Sequence, residues 1–323
     1  MNKINKNELE IINNASLAKY SYFRVGGLAK YLVNLTKAEH FVGLDKIISD
    51  LAVKRVFVIG AGSNLLISDR GFDGLVIKVD WTEWKYDQKK WMITAGVMLP
   101  VVSRDVIKAG FSGLEHLANI PGTVGGAIRG NAEAFRQSIS DHLEKVIWID
   151  FQKGEQVFTK KDCLFAYRDS IFKSKLSGQG IIKQAYFAFP PGDADYLSKI
   201  VVQDKVDRNQ KQPNEPSCGC FFKNIELSSK VYDLILNNLG AEALQGRKVG
   251  DMYAAGRIID WLGLKGMKKG GASISTLHAN FIIGDATVKS QDIYDLYQQI
   301  KAIVKKRVGI VLEAEVQFCG DFI

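Results

Sequence analysis

Short apolar runs broken by glycine or polar residues dominate the first half of the chain. Runs at Val56–Ile59, 75–79, 91–95, 145–149, 156–159 and 181–189 predict strands. A helical pattern lies between them at 100–109, and a longer one at 193–210. The segment KQPNEPSCG (211–219), with two prolines and a glycine, then breaks all periodicity and marks a domain boundary. Beyond it, 227–239, 256–264 and Ser290–Val308 predict helices. In the last of these, Ile293, Leu296, Tyr297, Ile300 and Val304 recur at spacings of three and four, which predicts a stripe facing the core. Gly309 ends that helix, and IVLEAEVQF (310–318) predicts a strand. Its even-numbered residues are apolar and face the core, with Val311, Glu313, Glu315 and Gln317 on the other face. Strands and helices do not alternate regularly, so the expected class is α+β rather than doubly wound α/β.

Two breaks are rich in glycine. GLEHLANIPGTVGGAIRGNAEAF (113–135) packs five glycines and one proline into 23 residues. Pro121 begins a turn, and Gly122, Gly125 and Gly126 release backbone N–H groups that can point at phosphate oxygens. The following GAIRGNAEAF can turn into a helix whose N-terminus adds a favourable dipole. The second, Gly60-Ala61-Gly62-Ser63-Asn64, lies between apolar runs and reads as strand, tight loop, then strand or short helix. Ser63 and Asn64 can hydrogen-bond local backbone or a phosphate. Leu65 stands where the third glycine of G-x-G-x-x-G belongs, so a Rossmann site is not supported. Two such loops point to a long anionic cofactor on another fold. A tight loop packed on itself is the plainer alternative.

Composition narrows the classes. The 323 residues suffice for two or three domains, 46% apolar and 24% charged, as in a soluble globular protein. The first residues show no signal-like apolar segment and no run reaches the roughly 18 apolar residues of a membrane span, so a cytoplasmic protein without membrane contact is expected. The net charge of +8 suits anionic ligands. Its lysine pairs are scattered, which disfavours nucleic acid. The four cysteines and four histidines lack metal-ligand spacing, so no metal is expected.

Seven segments in order carry a resemblance: YFRVGGLAKYLV (22–33), VIGAGSNLLISDRGFDGLVIKV (58–79), GLEHLANIPGTVGGAI (113–128), YRDSIFK (167–173), PSCGCFFKN (216–224), AGRIIDWLGLKG (255–266) and LEAEVQF (312–318). Together they resemble the UDP-N-acetylenolpyruvoylglucosamine reductase family, in its shorter form, over nearly the whole chain. The resemblance implies an FAD-binding domain of the vanillyl-alcohol-oxidase type over 1–210, with lobes near 1–80 and 81–210. It also implies a smaller α+β substrate domain over 211–323. FAD would be bound by Gly60, Ala61, Gly62, Ser63, Asn64, Pro121, Gly122, Thr123, Gly125 and Gly126, with NADPH as cosubstrate. The partner would be a nucleotide sugar, and the protein a monomer.

Conjugate reduction of an enol ether requires a hydride, a proton and a clamp for developing enolate charge. By resemblance, Cys220 stands at the family's usual serine proton donor. A thiol, with a reference pKa near 8.5, is a stronger acid than an alkyl hydroxyl. A buried structural cysteine is the alternative there; Cys218 matches no motif position and is expected to pack. Alternation places Cys220 and Asn224 on one strand face. Asn224 matches a substrate contact, or is a turn residue. Spacing alone makes Glu315 an exposed strand residue, whereas resemblance makes it the catalytic glutamate. Gln317 replaces an arginine often found two residues later. Arg168 matches the catalytic arginine, suited to a bidentate grip on a carboxylate; a structural ion pair, for instance with Asp169, is its alternative. Lys211 matches a substrate lysine, or is a free surface residue. Glu133 replaces a family glycine and Arg136 stands where glycine is common; on a helix they would pair at i, i+3, with Glu133 turned outward. The alternatives are a flavin oxidase on the same scaffold and an inactive FAD-binding regulatory protein.

Overall fold

In the computed structural model, which describes residues 9–323, the apolar runs of the first half build two sheets. The chain divides into two compact units. One holds the described residues up to Ala15, Ala29–Gly62 and Phe72–Asp207; the other holds Ser16–Leu28, Ser63–Gly71 and Arg208–Ile323.

In the first unit, Phe72–Val79 is a central strand with parallel neighbours, Leu28–Leu35 on one side and Val56–Ile59 on the other. A separate antiparallel sheet runs in the order Gly154–Thr159, Leu143–Asp150, Gly180–Phe187, Lys90–Thr94, Trp84–Asp87. The helix Leu99–Lys108 buries Val102 and Val106 in the same apolar core as Ile93, Trp148 and Phe187. Parallel and antiparallel strands in separate sheets, with helices that do not alternate with them, make the class α+β, as the sequence predicts.

The second unit is organised by the helix Ser290–Val308, whose bounds match the sequence pattern. Ile293, Leu296, Tyr297, Ile300 and Val304 are all buried in its core. Lys305, Lys306 and Arg307 in the last turn complement the negative end of the helix, and Gly309 takes the left-handed φ of +81° that stops it. At the other end, Asp69 and Ser290 exchange hydrogen bonds. The Ser290 hydroxyl accepts the Asp69 N–H at 2.7 Å, and the Asp69 carboxylate accepts the Ser290 N–H at 2.8 Å. The segment carrying Asp69 also supplies Leu65–Ile67, which pairs in parallel with Gln317–Cys319.

Two local expectations fail. The helix expected beyond the glycine turn starts earlier, at Val124, and stops at Gly130 because Asn131 adopts the left-handed conformation with φ +43°. Residues 133–138 form a hairpin instead: Glu133–Ala134 pairs with Gln137–Ser138 across Phe135 and Arg136. Those two turn residues have φ of +50° and +66°, so Glu133 and Arg136 share no helix face. The strand expected over 310–318 is a ladder only at Gln317–Cys319, preceded by a single bridge at Ala314. Its alternation nevertheless holds at Ile310, Leu312 and Val316, which are buried, while Val311 and Glu313 are exposed.

The hairpin explains why glycine suits position 136. A left-handed non-glycine residue costs about 1 kcal/mol. Arg136→Gly is therefore expected to stabilise the protein by about that amount, measured as a higher urea midpoint. An unchanged or lower midpoint would show that the arginine side chain offsets the strain.

Candidate active site

The site residues fall into two groups, one in each unit. In the first unit, the turn after Pro121 is held by the sheet it follows. Gly122 has φ +144° and its carbonyl accepts the Leu99 N–H. The three N–H groups after Thr123 are already used: Val124 donates to the Val97 carbonyl at 2.8 Å, Gly125 to the Ala95 carbonyl at 2.9 Å, and Gly126 to the Thr123 hydroxyl at 3.3 Å. The expectation that Gly125 and Gly126 present their amides to phosphate is therefore corrected. The start of the Val124–Gly130 helix is satisfied internally, because the chain leaves a backbone bridge between Met98 and Thr123 and enters the helix at once.

The glycines serve different ends. A Cβ at Gly60 would run into the Thr123 hydroxyl, and one at Gly125 would lie 2.7 Å from the Ala95 Cβ. These two allow close packing of protein on protein. Gly62 needs its φ of +74°. Gly126 is different: it is exposed, and a Cβ there would meet only the Thr123 hydroxyl, at 3.5 Å. Gly126 is thus the place where the turn leaves room for a ligand to approach the backbone.

The run into this turn is clamped. The Glu115 carboxylate accepts the Gly113 N–H at 2.7 Å and the Gln137 amide at 2.9 Å. Burial raises its pKa, but these hydrogen bonds outweigh burial and hold it below the ordinary carboxylate value. His116 Nδ1 lies 2.8 Å from the buried Asp204 carboxylate on the Ala194–Lys211 helix. Arg168 lies at a tight turn in which Ala166 and Asp169 exchange backbone hydrogen bonds at 3.1 Å each. Arg168 itself is left-handed, with φ +54°, and its carbonyl accepts the Lys173 ammonium at 2.7 Å.

In the second unit, the segment carrying Cys220 threads between two others. Cys220 bridges Phe281 and Phe222 bridges Ala314, so single bridges replace the expected continuous strand. Phe221 and Phe222 are both buried, against simple alternation, because Tyr297 packs against both rings at 5.4–5.5 Å. The buried Asn280 grips this segment. Its carbonyl accepts the Phe221 N–H at 2.8 Å, its side-chain oxygen accepts the Phe222 N–H at 3.0 Å, and its amide donates to the Phe222 carbonyl at 2.9 Å. The Glu315 N–H donates to the Phe221 carbonyl at 2.9 Å, which ties the Glu315 backbone to the residue after Cys220. Asn64, expected at a phosphate, donates its amide to the Glu315 carbonyl at 3.2 Å, and its own carbonyl accepts the Gln317 N–H at 3.1 Å.

Cys218 is buried as expected for a packing residue. Burial pushes its thiol well above the ordinary value, and neighbouring Cys220 and Glu315 push it the same way. Asn224 accepts the Ala255 N–H at 3.4 Å, at the start of the Ala255–Trp261 helix. Lys211 is the exposed last residue of its helix. Arg168 lies in the first unit, and Cys220, Glu315, Asn224 and Lys211 in the second. Among the described residues, no group of three or more histidine, cysteine or acidic side chains could hold a metal ion, and no helix is long and apolar enough to cross a membrane. The sequence assigns no role to Asn280 or Asn131. Their only signal is an asparagine within an otherwise small or apolar stretch, which becomes informative once burial is known.

Comparison with known proteins agrees with the resemblance. Residues 31–160 match a family model described as FAD binding domain, and residues 211–319 one described as UDP-N-acetylenolpyruvoylglucosamine reductase, C-terminal domain. A reductase of that name from Nostoc sp. is 33% identical over 318 residues, covering 97% of this chain and 87% of that protein. The one from Carboxydothermus hydrogenoformans is 34% identical over 316 residues, covering 96% and 94%. The crystal structure of UDP-N-acetylenolpyruvylglucosamine reductase from Thermus caldophilus aligns with a TM-score of 0.73 at 26% identity, covering 97% of this chain and 99% of that one.

Two predictions follow from the local geometry. Gly126→Ala is expected to stabilise the protein by about 0.5–1 kcal/mol through helix propensity. Gly125→Ala is expected to destabilise it through the clash with Ala95; equal melting temperatures for the two variants would refute the distinction. His278 accepts the Asn280 N–H at Nδ1 (3.2 Å), and burial holds its pKa below the ordinary 6.5. The unfolded chain then binds the proton more readily than the folded one, so stability is lost as pH falls below about 6.5. His278→Gln should flatten that loss in denaturant titrations on either side of this pH.

Proposed function

The chain belongs to the UDP-N-acetylenolpyruvoylglucosamine reductase family, and from that membership we propose that it reduces the enolpyruvyl group of UDP-N-acetylglucosamine enolpyruvate to give UDP-N-acetylmuramate, a peptidoglycan precursor. The end-to-end likeness to named reductases, at about one residue in three, carries this reading. The chemistry supplied by bound FAD would be hydride transfer from NADPH to one carbon of the enol ether. Two features of the first unit fit such a cofactor: the open backbone at Gly126, and a buried Asn131 side-chain oxygen with no hydrogen-bond partner among the described residues. The proposed flavin-binding part lies within residues 1–210 and the substrate part within 211–323, except that Ser16–Leu28 and Ser63–Gly71 pack with the C-terminal unit, a correction to a simple split at 210. The matches to the two family models support that division.

The protein's own residues have three tasks. Cys220 gives its thiol proton to the second carbon of the double bond. Arg168 pairs with the substrate carboxylate and stabilises charge that develops there. Glu315 helps hold that charge, either protonated or through a neighbouring group, since a bare carboxylate would oppose it. The backbone hydrogen bond linking Glu315 to Phe221 supports assigning Cys220 and Glu315 to one site. Lys211 and Asn224 are proposed substrate contacts, and the net charge of +8 favours a diphosphate. We also propose that the protein acts as a cytoplasmic monomer.

An anaerobic two-step assay tests the reading. NADPH should bleach the bound flavin, and the enolpyruvyl substrate should restore the oxidised spectrum. Cys220→Ala is expected to keep the bleaching step and slow the restoring step by about 10²–10⁴-fold, the usual contribution of a general acid. Cys220→Ser should keep most of the rate, since a hydroxyl can take the same place. Full reoxidation in Cys220→Ala would remove the cysteine from the mechanism, and protein that takes up no FAD would overturn the flavin reading.

A further inference from the structure

Asn131 ends the Val124–Gly130 helix in the left-handed conformation, where glycine would serve as well. Yet its side chain is buried, 7% exposed, and half used. The amide donates to the Ala166 carbonyl at 2.9 Å, which fixes the orientation of the group and leaves Oδ1 buried without a partner among the described residues. Ala166 is the first residue of the turn that carries Arg168. A second tie lies beside it: the Ser170 hydroxyl, 1% exposed, donates to the Arg129 carbonyl at 2.7 Å on the same helix. Burial lowers the Arg129 pKa, and the charge of Asp169 partly opposes that shift. The end of the glycine-loop helix and the Arg168 turn are thus fastened together, with one acceptor left over.

A seven-residue helix is about 10 Å long. Asn131 therefore lies within reach of an extended dinucleotide that passes the open backbone at Gly126. We propose that Asn131 is a positioning residue: its Oδ1 accepts a hydrogen bond from the bound flavin cofactor, and its amide, with Ser170, transmits that binding to the Arg168 turn. A structural cap alone requires neither the buried amide nor the leftover oxygen. The inference rests on the flavin reading above.

Asn131→Gly removes the side chain while keeping the left-handed backbone. The readouts are FAD affinity, hydrogen exchange at the Ala166 and Asp169 amides, and the separate half-reactions. In the unaltered protein, FAD should slow exchange at those amides. In Asn131→Gly, FAD should bind about tenfold more weakly, as for loss of one hydrogen bond to a buried group. At saturating FAD the exchange protection should be lost and the KM for the enolpyruvyl substrate raised. Ser170→Ala should lose the exchange protection and raise that KM while keeping FAD affinity. Unchanged exchange protection in both variants would overturn the inference, as would weaker FAD binding with no change in substrate KM. If the unaltered protein took up no FAD, the flavin reading would fail first and this inference with it.

Discussion

The hydrogen bond from the Glu315 N–H to the Phe221 carbonyl is the constraint on which the second unit's chemistry depends. It joins two segments that are almost 100 residues apart in sequence and fixes the register between the proposed acid and the proposed carboxyl group. Each side is secured again from behind. Asn280 satisfies the backbone of Phe221 and Phe222 with three hydrogen bonds, and Asn64 holds the Glu315 carbonyl and the Gln317 amide. Buried backbone polar groups must be paired, so the same bonds that position the site also remove a desolvation cost. Tyr297, from the long helix, closes the arrangement by packing on both phenylalanines.

Two cysteines two residues apart experience different surroundings there. Cys218 belongs to the apolar core, and burial keeps its thiol protonated. Cys220 is only partly buried and lies on a segment gripped on both sides. Gly219, with φ +81°, provides the bend between them. Cys218 thus takes the packing role, and Cys220 is the cysteine proposed as proton donor.

In the first unit, the glycine turn economises on space more than on amides. Its helix begins with every early N–H already donated, so close packing at Gly60 and Gly125 is explained within the protein alone. Two features of this region suit a ligand: exposed backbone at Gly126 and a buried side-chain oxygen at Asn131. The plain alternative of a loop packed on itself describes Gly60 and Gly125, and the cofactor-loop reading is kept as a proposal for Gly126 and Asn131.

The long helix at Ser290–Val308, its core stripe and its stop at Gly309 were legible because they are local: a period of three to four and one left-handed residue decide them. The α+β class followed from the same kind of pattern, and the seven ordered segments identified the family. The hairpin at 133–138 was not legible. Asn-Ala-Glu-Ala has fair helix propensity, and only the tie of Asn131 to Ala166 and the pairing of residues 133–134 with 137–138 override it. Spacing likewise made Glu315 one exposed strand residue among several. Its attachment to Phe221 and Asn64 depends on segments distant in the chain, and no local pattern records which backbone groups meet. The sequence by itself determined which residue types were available and where the chain turns. The tertiary structure alone decided which amides were already spent, which asparagines were buried and which backbones were joined, because hydrogen-bond partners are chosen by proximity in space.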